Sequence, residues 1–126
     1  MQILLTGATG FLGQAIAVAL KDQGHAVRAI VRSESRELAR LGIEQQHGQI
    51  TAFDQVCAAA TGCDAIVHAA GCSDPLASIE QLHDANVRST DCMLGACELL
   101  GIPRLLLTSC ANVVIGAGDL ENADER

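Results

Sequence analysis

Thr6-Gly7-Ala8-Thr9-Gly10-Phe11-Leu12-Gly13 is the stretch on which the reading of this chain turns. It is a G-x-x-G-x-x-G loop set between a short apolar run, Ile3-Leu4-Leu5, and a segment of helical period over residues 11–23. Gly7 permits a tight turn off the strand. Gly10, preceded by Thr9, clears the space where backbone must approach a diphosphate, and Gly13 lets the helix pack closely on the sheet. The free N–H groups of the first helical turn, around Phe11 and Leu12, point at such an anion with the helix dipole behind them. A glycine loop between strand and helix in a βαβ unit reads as a dinucleotide cradle. A mononucleotide P-loop is excluded, because no Gly-Lys-Ser/Thr follows.

Outward from the loop, short apolar runs alternate with longer helical ones. Residues 26–31 form the next strand, and residues 33–41 a short charged helix stopped at Gly42. Residues 43–46 are a weaker, more polar strand suited to a sheet edge. Thr51-x-x-Asp54 has the form of a capping box opening a helix through Ala60. Ala65-Ile66-Val67 follows as a strand. Asp74-Pro75 supplies an N-cap and first-turn pair for helical sequence that runs, with a break near His83, to Leu100. Gly101 and Pro103 end it, and Leu105-Leu106-Leu107 is the last strand. Strands only a few residues long, joined by helical crossovers, imply a doubly wound α/β parallel sheet.

The end of the second strand is the next informative place. An acidic residue about twenty positions past the glycines would accept hydrogen bonds from an adenosine ribose. This chain has Arg32 there, with Ser33 beside it. A guanidinium suits a 2′-phosphate and gains nothing from two neutral hydroxyls, so NADP(H) is favoured over NAD(H), with NAD(H) still open.

Composition removes several alternatives. With 126 residues, 49% apolar, the chain is long enough for one domain with a sizeable core, and its mean hydropathy of +0.28 excludes disorder. The uncharged run over residues 1–20 is broken by polar residues and three glycines, so neither a membrane span nor a signal peptide is expected. A net charge of −7 with 2% aromatic residues gives no footprint for nucleic acid. Six cysteines without a C-x-x-C are read as reduced thiols of a cytoplasmic protein, and no metal site is expected.

With these residues in place, the sequence resembles the extended short-chain dehydrogenase/reductase family, the epimerase, dehydratase and 3β-hydroxysteroid dehydrogenase group. The glycine loop carries the resemblance, and further matches follow in register. Asp64-Ala-Ile-Val-His-Ala-Ala-Gly71 resembles the family's fourth strand, and the resemblance implies that Ala69, Ala70 and Gly71 line the nicotinamide-side ribose. Asn86-Val-Arg-Ser-Thr90 resembles a helix segment that places Asn86 in the cofactor site. Arg104-Leu-Leu-Leu-Thr-Ser109 resembles the fifth strand, and the acidic stretch over residues 119–125 resembles the loop before the catalytic tyrosine. The implied fold is a Rossmann-type sheet of strand order 3-2-1-4-5, with residues 1–126 as one NAD(P)-binding domain. The helix ending at Leu100 would contribute to a homodimer interface.

Two departures qualify what the resemblance implies. The third strand ends Gly48-Gln49-Ile50 where the family has Gly-Asp-Leu/Ile, leaving Gln49 and Ile50 to meet adenine. The fifth ends Ser109-Cys110 where the family has Ser-Ser, so these two are the candidate catalytic residues, with Cys110 a weaker hydrogen-bond partner or simply a packing residue. The family's acid/base pair, Tyr-x-x-x-Lys, would fall beyond Arg126; the chain has no tyrosine, and its single lysine is Lys21. The sequence therefore reads as the N-terminal, cofactor-binding part of an oxidoreductase, epimerase or dehydratase acting on a small carbonyl or alcohol. It ends before the family's later strands, leaving the fifth as an open edge. The alternative is a non-catalytic NADP(H)-binding or redox-sensing module.

Overall fold

The computed structural model describes residues 1–110; the acidic stretch over residues 119–125 lies outside them. Five parallel strands, β1 (Gln2–Thr6), β2 (Ala26–Val31), β3 (Glu44–His47), β4 (Ala65–His68) and β5 (Leu105–Leu107), form one sheet in the order β3-β2-β1-β4-β5. Five helices connect them: α1 (Phe11–Asp22), α2 (Arg36–Arg40), α3 (Phe53–Ala60), α4 (Ile79–His83) and α5 (Ser89–Leu100). This is the doubly wound order expected. Ile3 pairs with Val27 on one side and Ala65 on the other, which makes β1 the central strand.

Because side chains alternate across a strand, each strand feeds two cores. Ile3, Leu5, Val27, Ala29 and Val67 face α1 and α2, where Ala17 and Leu38 meet them. Leu4, Ile30 and Ile66 face the opposite layer, against Val56, Ala59, Met93 and Ala96 of α3 and α5. The sheet is thus covered on both faces, as parallel strands require. Gly95 of α5 lies against the Phe53 ring, where a Cβ would stand 2.9 Å from a ring carbon, so α3 and α5 pack tightly. Gly101 closes α5 in the left-handed conformation at φ +67°, and the Ile102 N–H then reaches back to the Cys97 carbonyl at 2.9 Å. That turn buries Ile102 and aims the chain into β5.

Three local expectations are corrected. The Thr51 and Asp54 pair does not cap α3: the helix begins after Ala52 with no side-chain cap, and the Gln55 side chain instead accepts from the Gln49 N–H at 2.8 Å. Asp74 does not open the long helix either. Its carboxylate accepts from the Leu76 N–H at 2.9 Å to close a turn, and α4 starts after Ser78, whose side chain and that of Gln81 form a reciprocal capping box. Near His83 the helix does not break. It widens into a π turn over Asp84–Arg88 that runs directly into α5. Among the described residues, no helix is long and apolar enough to cross a membrane.

Candidate functional site

The C-terminal ends of β1, β2 and β4 open onto a cleft of about 690 Å³. Its floor is the glycine turn. The Gly10 N–H donates to the Gly7 carbonyl at 2.9 Å, and Gly7 sits at φ +69°. A Cβ on Gly7 would lie 2.7 Å from the Ala70 nitrogen and 2.8 Å from the Ala69 carbonyl, so the turn after β1 and the exit of β4 are pressed together. The third glycine has a different task from the one its position suggested. A Cβ on Gly13 would overlap the Gly7 carbonyl, so Gly13 serves the contact between helix and loop rather than between helix and sheet. Gly10 is less crowded: a Cβ there would meet only the Gly7 carbonyl, at 3.3 Å. No side chain caps α1, which leaves the first-turn N–H groups of Phe11, Leu12 and Gly13 without side-chain acceptors.

Gly7, Thr9, Gly10, Arg32, Gln49, Ile50, Ala69, Ala70 and Gly71 all line this cleft. Phe11, Leu12 and Gly13 do not; the Phe11 side chain is 97% exposed, and any ligand contact from this turn would be through backbone. Arg32 is the one cation among the described lining residues, which also include Asp74 and Asp84. Its guanidinium makes no hydrogen bond or ion pair among the described residues. The loop after it is held by a residue the sequence did not single out. Gln45, on β3, accepts from the Ser35 N–H at 2.7 Å and donates to the Ser35 carbonyl at 3.0 Å. Ser35 in turn caps α2 through the Leu38 N–H.

Asn86 does not line this cleft itself but bonds Cys72, which does. Its side chain accepts from the Cys72 N–H and donates to the Cys72 carbonyl, both at 2.8 Å, so both ends of the amide are engaged in fixing the loop after β4. Asn86, Ser109 and Cys110 line a second cavity of about 700 Å³, which shares Ala69, Ala70, Gly71 and Cys72 with the first. Cys110 is exposed there, not packed.

A buried chain of hydrogen bonds runs beneath both cavities. Ser89 Oγ donates to the Ala85 carbonyl at 2.6 Å, so it must accept from His68 Nε2–H at 3.1 Å. His68 Nδ1 is then the acceptor for the Thr6 hydroxyl at 2.6 Å, and Thr6 Oγ1 accepts from the Ala70 N–H at 3.2 Å. The π turn makes this possible. The Ser89 N–H bonds the Asp84 carbonyl, which frees the Ala85 carbonyl for the serine side chain. His68 is 1% exposed, and burial holds its imidazole below the usual histidine range.

Known proteins resemble this arrangement in sequence and in fold. The profile of the NAD dependent epimerase/dehydratase family matches residues 3–125. A 2-alkyl-3-oxoalkanoate reductase from Stenotrophomonas maltophilia is 40% identical over 113 residues, covering 90% of this chain and 34% of the relative. A 3 beta-hydroxysteroid dehydrogenase/Delta 5-->4-isomerase from Mycobacterium tuberculosis is 33% identical over an alignment of 131 residues, covering 98% of this chain and 35% of the relative. Among solved structures, a UDP-glucose-4-epimerase from Stenotrophomonas maltophila with bound NAD superposes with a TM-score of 0.80 at 26% identity, covering 99% of this chain and 41% of that one. The chain thus spans about a third of the length of these curated relatives. The glycine cradle, the sheet order and the sequence match agree, and the chain belongs to the NAD-dependent epimerase/dehydratase family.

Proposed function

We propose that this chain is the dinucleotide-binding portion of an NADP(H)-dependent oxidoreductase, epimerase or dehydratase acting on a small carbonyl or alcohol. The observation that carries the reading is the cradle at Gly10: it lines the open cleft, a Cβ there would meet only the Gly7 carbonyl, at 3.3 Å, and the first-turn N–H groups of α1 have no side-chain cap. That room fits a diphosphate. The N–H groups of Phe11, Leu12 and Gly13 would hold it, Arg32 the 2′-phosphate, Gln49 and Ile50 the adenine, and Ala69, Ala70 and Gly71 the nicotinamide-side ribose. When bound, the nicotinamide supplies hydride transfer. Ser109 and Cys110, which line the second cavity, would polarise a substrate oxygen. The acid/base tyrosine of the resemblance is not among these 126 residues, so turnover is assigned to the whole protein.

Cofactor titration tests this reading. NADPH should bind more tightly than NADH, and Arg32→Ala should remove most of the difference. Loss of one charge-assisted contact, about 1.5–3 kcal/mol, corresponds to roughly ten- to a hundredfold in affinity. Equal affinities for the two in the parent protein would overturn the NADP(H) assignment.

The other reading, a non-catalytic or redox-sensing NADP(H) module, is favoured by the exposed thiol of Cys110 at the second cavity. A ketone and alcohol panel assayed with the whole protein separates the two. Any turnover supports the enzyme; retained NADPH binding without turnover supports the module.

A further inference from the structure

Among the described residues, the buried polar side chains are Thr6, His68 and Ser89, at 0%, 1% and 0% exposure. All three belong to the one hydrogen-bond relay beneath the cavities. A buried polar group costs stability unless it is partnered, and a fully matched network holds its members in one arrangement. The relay reaches the cleft at both ends. The Ala70 N–H at its start belongs to the wall leaving β4, and the Ala85 carbonyl at its end belongs to the wall formed by the π turn.

The direction of the relay is set at Ser89. The serine hydroxyl carries one hydrogen, and the Ala85 carbonyl takes it at 2.6 Å. What remains toward His68 is a lone pair, so Nε2 has to carry the imidazole proton. Nδ1 is then bare and draws the Thr6 hydroxyl hydrogen, which leaves a Thr6 lone pair for the Ala70 N–H. Without the serine acceptor the opposite tautomer is open. Nδ1–H would then donate to Thr6 Oγ1, and the Thr6 hydrogen would be left without an acceptor. Ala70 is the residue whose nitrogen would lie 2.7 Å from a Cβ on Gly7, so its placement governs how the exit of β4 lies on the glycine turn.

We propose that Ser89 is a positioning residue for the nicotinamide half of the dinucleotide, acting through the His68 tautomer and Thr6 on Ala70. The inference rests on the dinucleotide reading above and adds that one half of the ligand depends on a fully buried side chain. Thr90 supplies the comparison. Its hydroxyl bonds the Asn86 carbonyl at 2.8 Å, the same backward bond from the next residue, and among the described residues no hydrogen bond joins it to His68.

The test is titration of the whole protein with NADPH and with adenosine 2′,5′-bisphosphate, which carries the adenine and the 2′-phosphate but no nicotinamide. Ser89→Ala should weaken NADPH binding roughly three- to tenfold and leave the bisphosphate within about twofold. Thr6→Val, which removes the acceptor for the Ala70 N–H directly, should weaken NADPH at least as much, and Thr6→Ser should restore it. Thr90→Val should change neither ligand. Nitrogen NMR of the His68 ring should show one tautomer, protonated at Nε2, in the unsubstituted protein and a mixture in Ser89→Ala. Unchanged NADPH affinity in Ser89→Ala, equal losses for both ligands, the same loss in Thr90→Val, or an unchanged tautomer would overturn the proposal and leave the dinucleotide reading in place. No NADPH binding by the unsubstituted protein would overturn that reading and this role with it.

Discussion

Gly13 and Gly10 divide the work of the loop, and their substitutions separate folding from binding. At Gly13 a single methyl has to displace the Gly7 carbonyl, which itself accepts from the Gly10 N–H at 2.9 Å. Gly13→Ala should therefore cost about 3 kcal/mol of stability, visible as a lower urea midpoint even without ligand. At Gly10 the backbone is extended at φ −82°, a conformation any residue adopts, and a Cβ has only one close neighbour. Gly10→Val should lower the midpoint less than Gly13→Ala does, because the Gly7 carbonyl has to give by only a few tenths of an ångström, yet reduce dinucleotide affinity by more than roughly a hundredfold. An unchanged affinity in a folded Gly10→Val protein would show that the phosphates lie elsewhere. The sequence pattern named both glycines, but it could not tell which one the fold needs and which one the ligand needs. That distinction depends on which backbone atoms the turn brings against each Cα.

Single elements show where local reading succeeds and where it fails. β1 and β5 were legible because continuous apolar runs next to glycine or proline have few alternatives in a chain this short, and β2 because its apolar residues, interrupted only by Arg28, follow the helix stop at Gly24. The start of α4 was not, since Asp74-Pro75 carries a strong N-cap signal that the tertiary structure uses for a turn instead. The π turn over Asp84–Arg88 was equally hidden: it owes its stability to Ser89 and Thr90, whose hydroxyls take the Ala85 and Asn86 carbonyls at 2.6 and 2.8 Å. His68 left only a faint trace, a polar residue at the end of an otherwise apolar strand. Its burial makes a prediction about pH. Burial holds its folded pKa below the ordinary histidine value, so the unfolded chain takes up a proton first as pH falls. The contribution is fully present above the unfolded value and is lost as pH drops below it toward the folded one, at up to about 1.4 kcal/mol per pH unit. Thermal unfolding of the parent protein should fall more between pH 7.5 and 5.5 than that of His68→Gln; parallel curves would remove His68 from the account. Gln45 makes a prediction of a different kind. It fixes the Ser35 backbone behind Arg32, so Gln45→Leu should weaken NADPH binding roughly three- to tenfold by loosening that loop, with NADH within twofold. Equal losses for both cofactors would make Gln45 a purely structural residue.

At the scale of the whole molecule, the sheet order determines which loops meet. The switch between β1 and β4 leaves a crevice at their C-terminal ends, and that is where parallel doubly wound sheets take their ligands. The order 3-2-1-4-5 was legible because the glycine loop, the short strands and the family resemblance pointed to the same topology. The second cavity was not, because its walls come from residues 69–73, Asn86 and 107–110, which only the pairing of β4 with β5 brings together. The central claim is that one dinucleotide lies across this edge from Arg32 to Gly71. Hydrogen–deuterium exchange with and without saturating NADPH tests it most directly. Amides of residues 7–13, 32–35, 49–50 and 69–71 should gain protection together, while the far end of the sheet around Gly24 and Gly62 stays unchanged. Protection confined to other segments, or none at a concentration where binding is independently measured, would contradict the account.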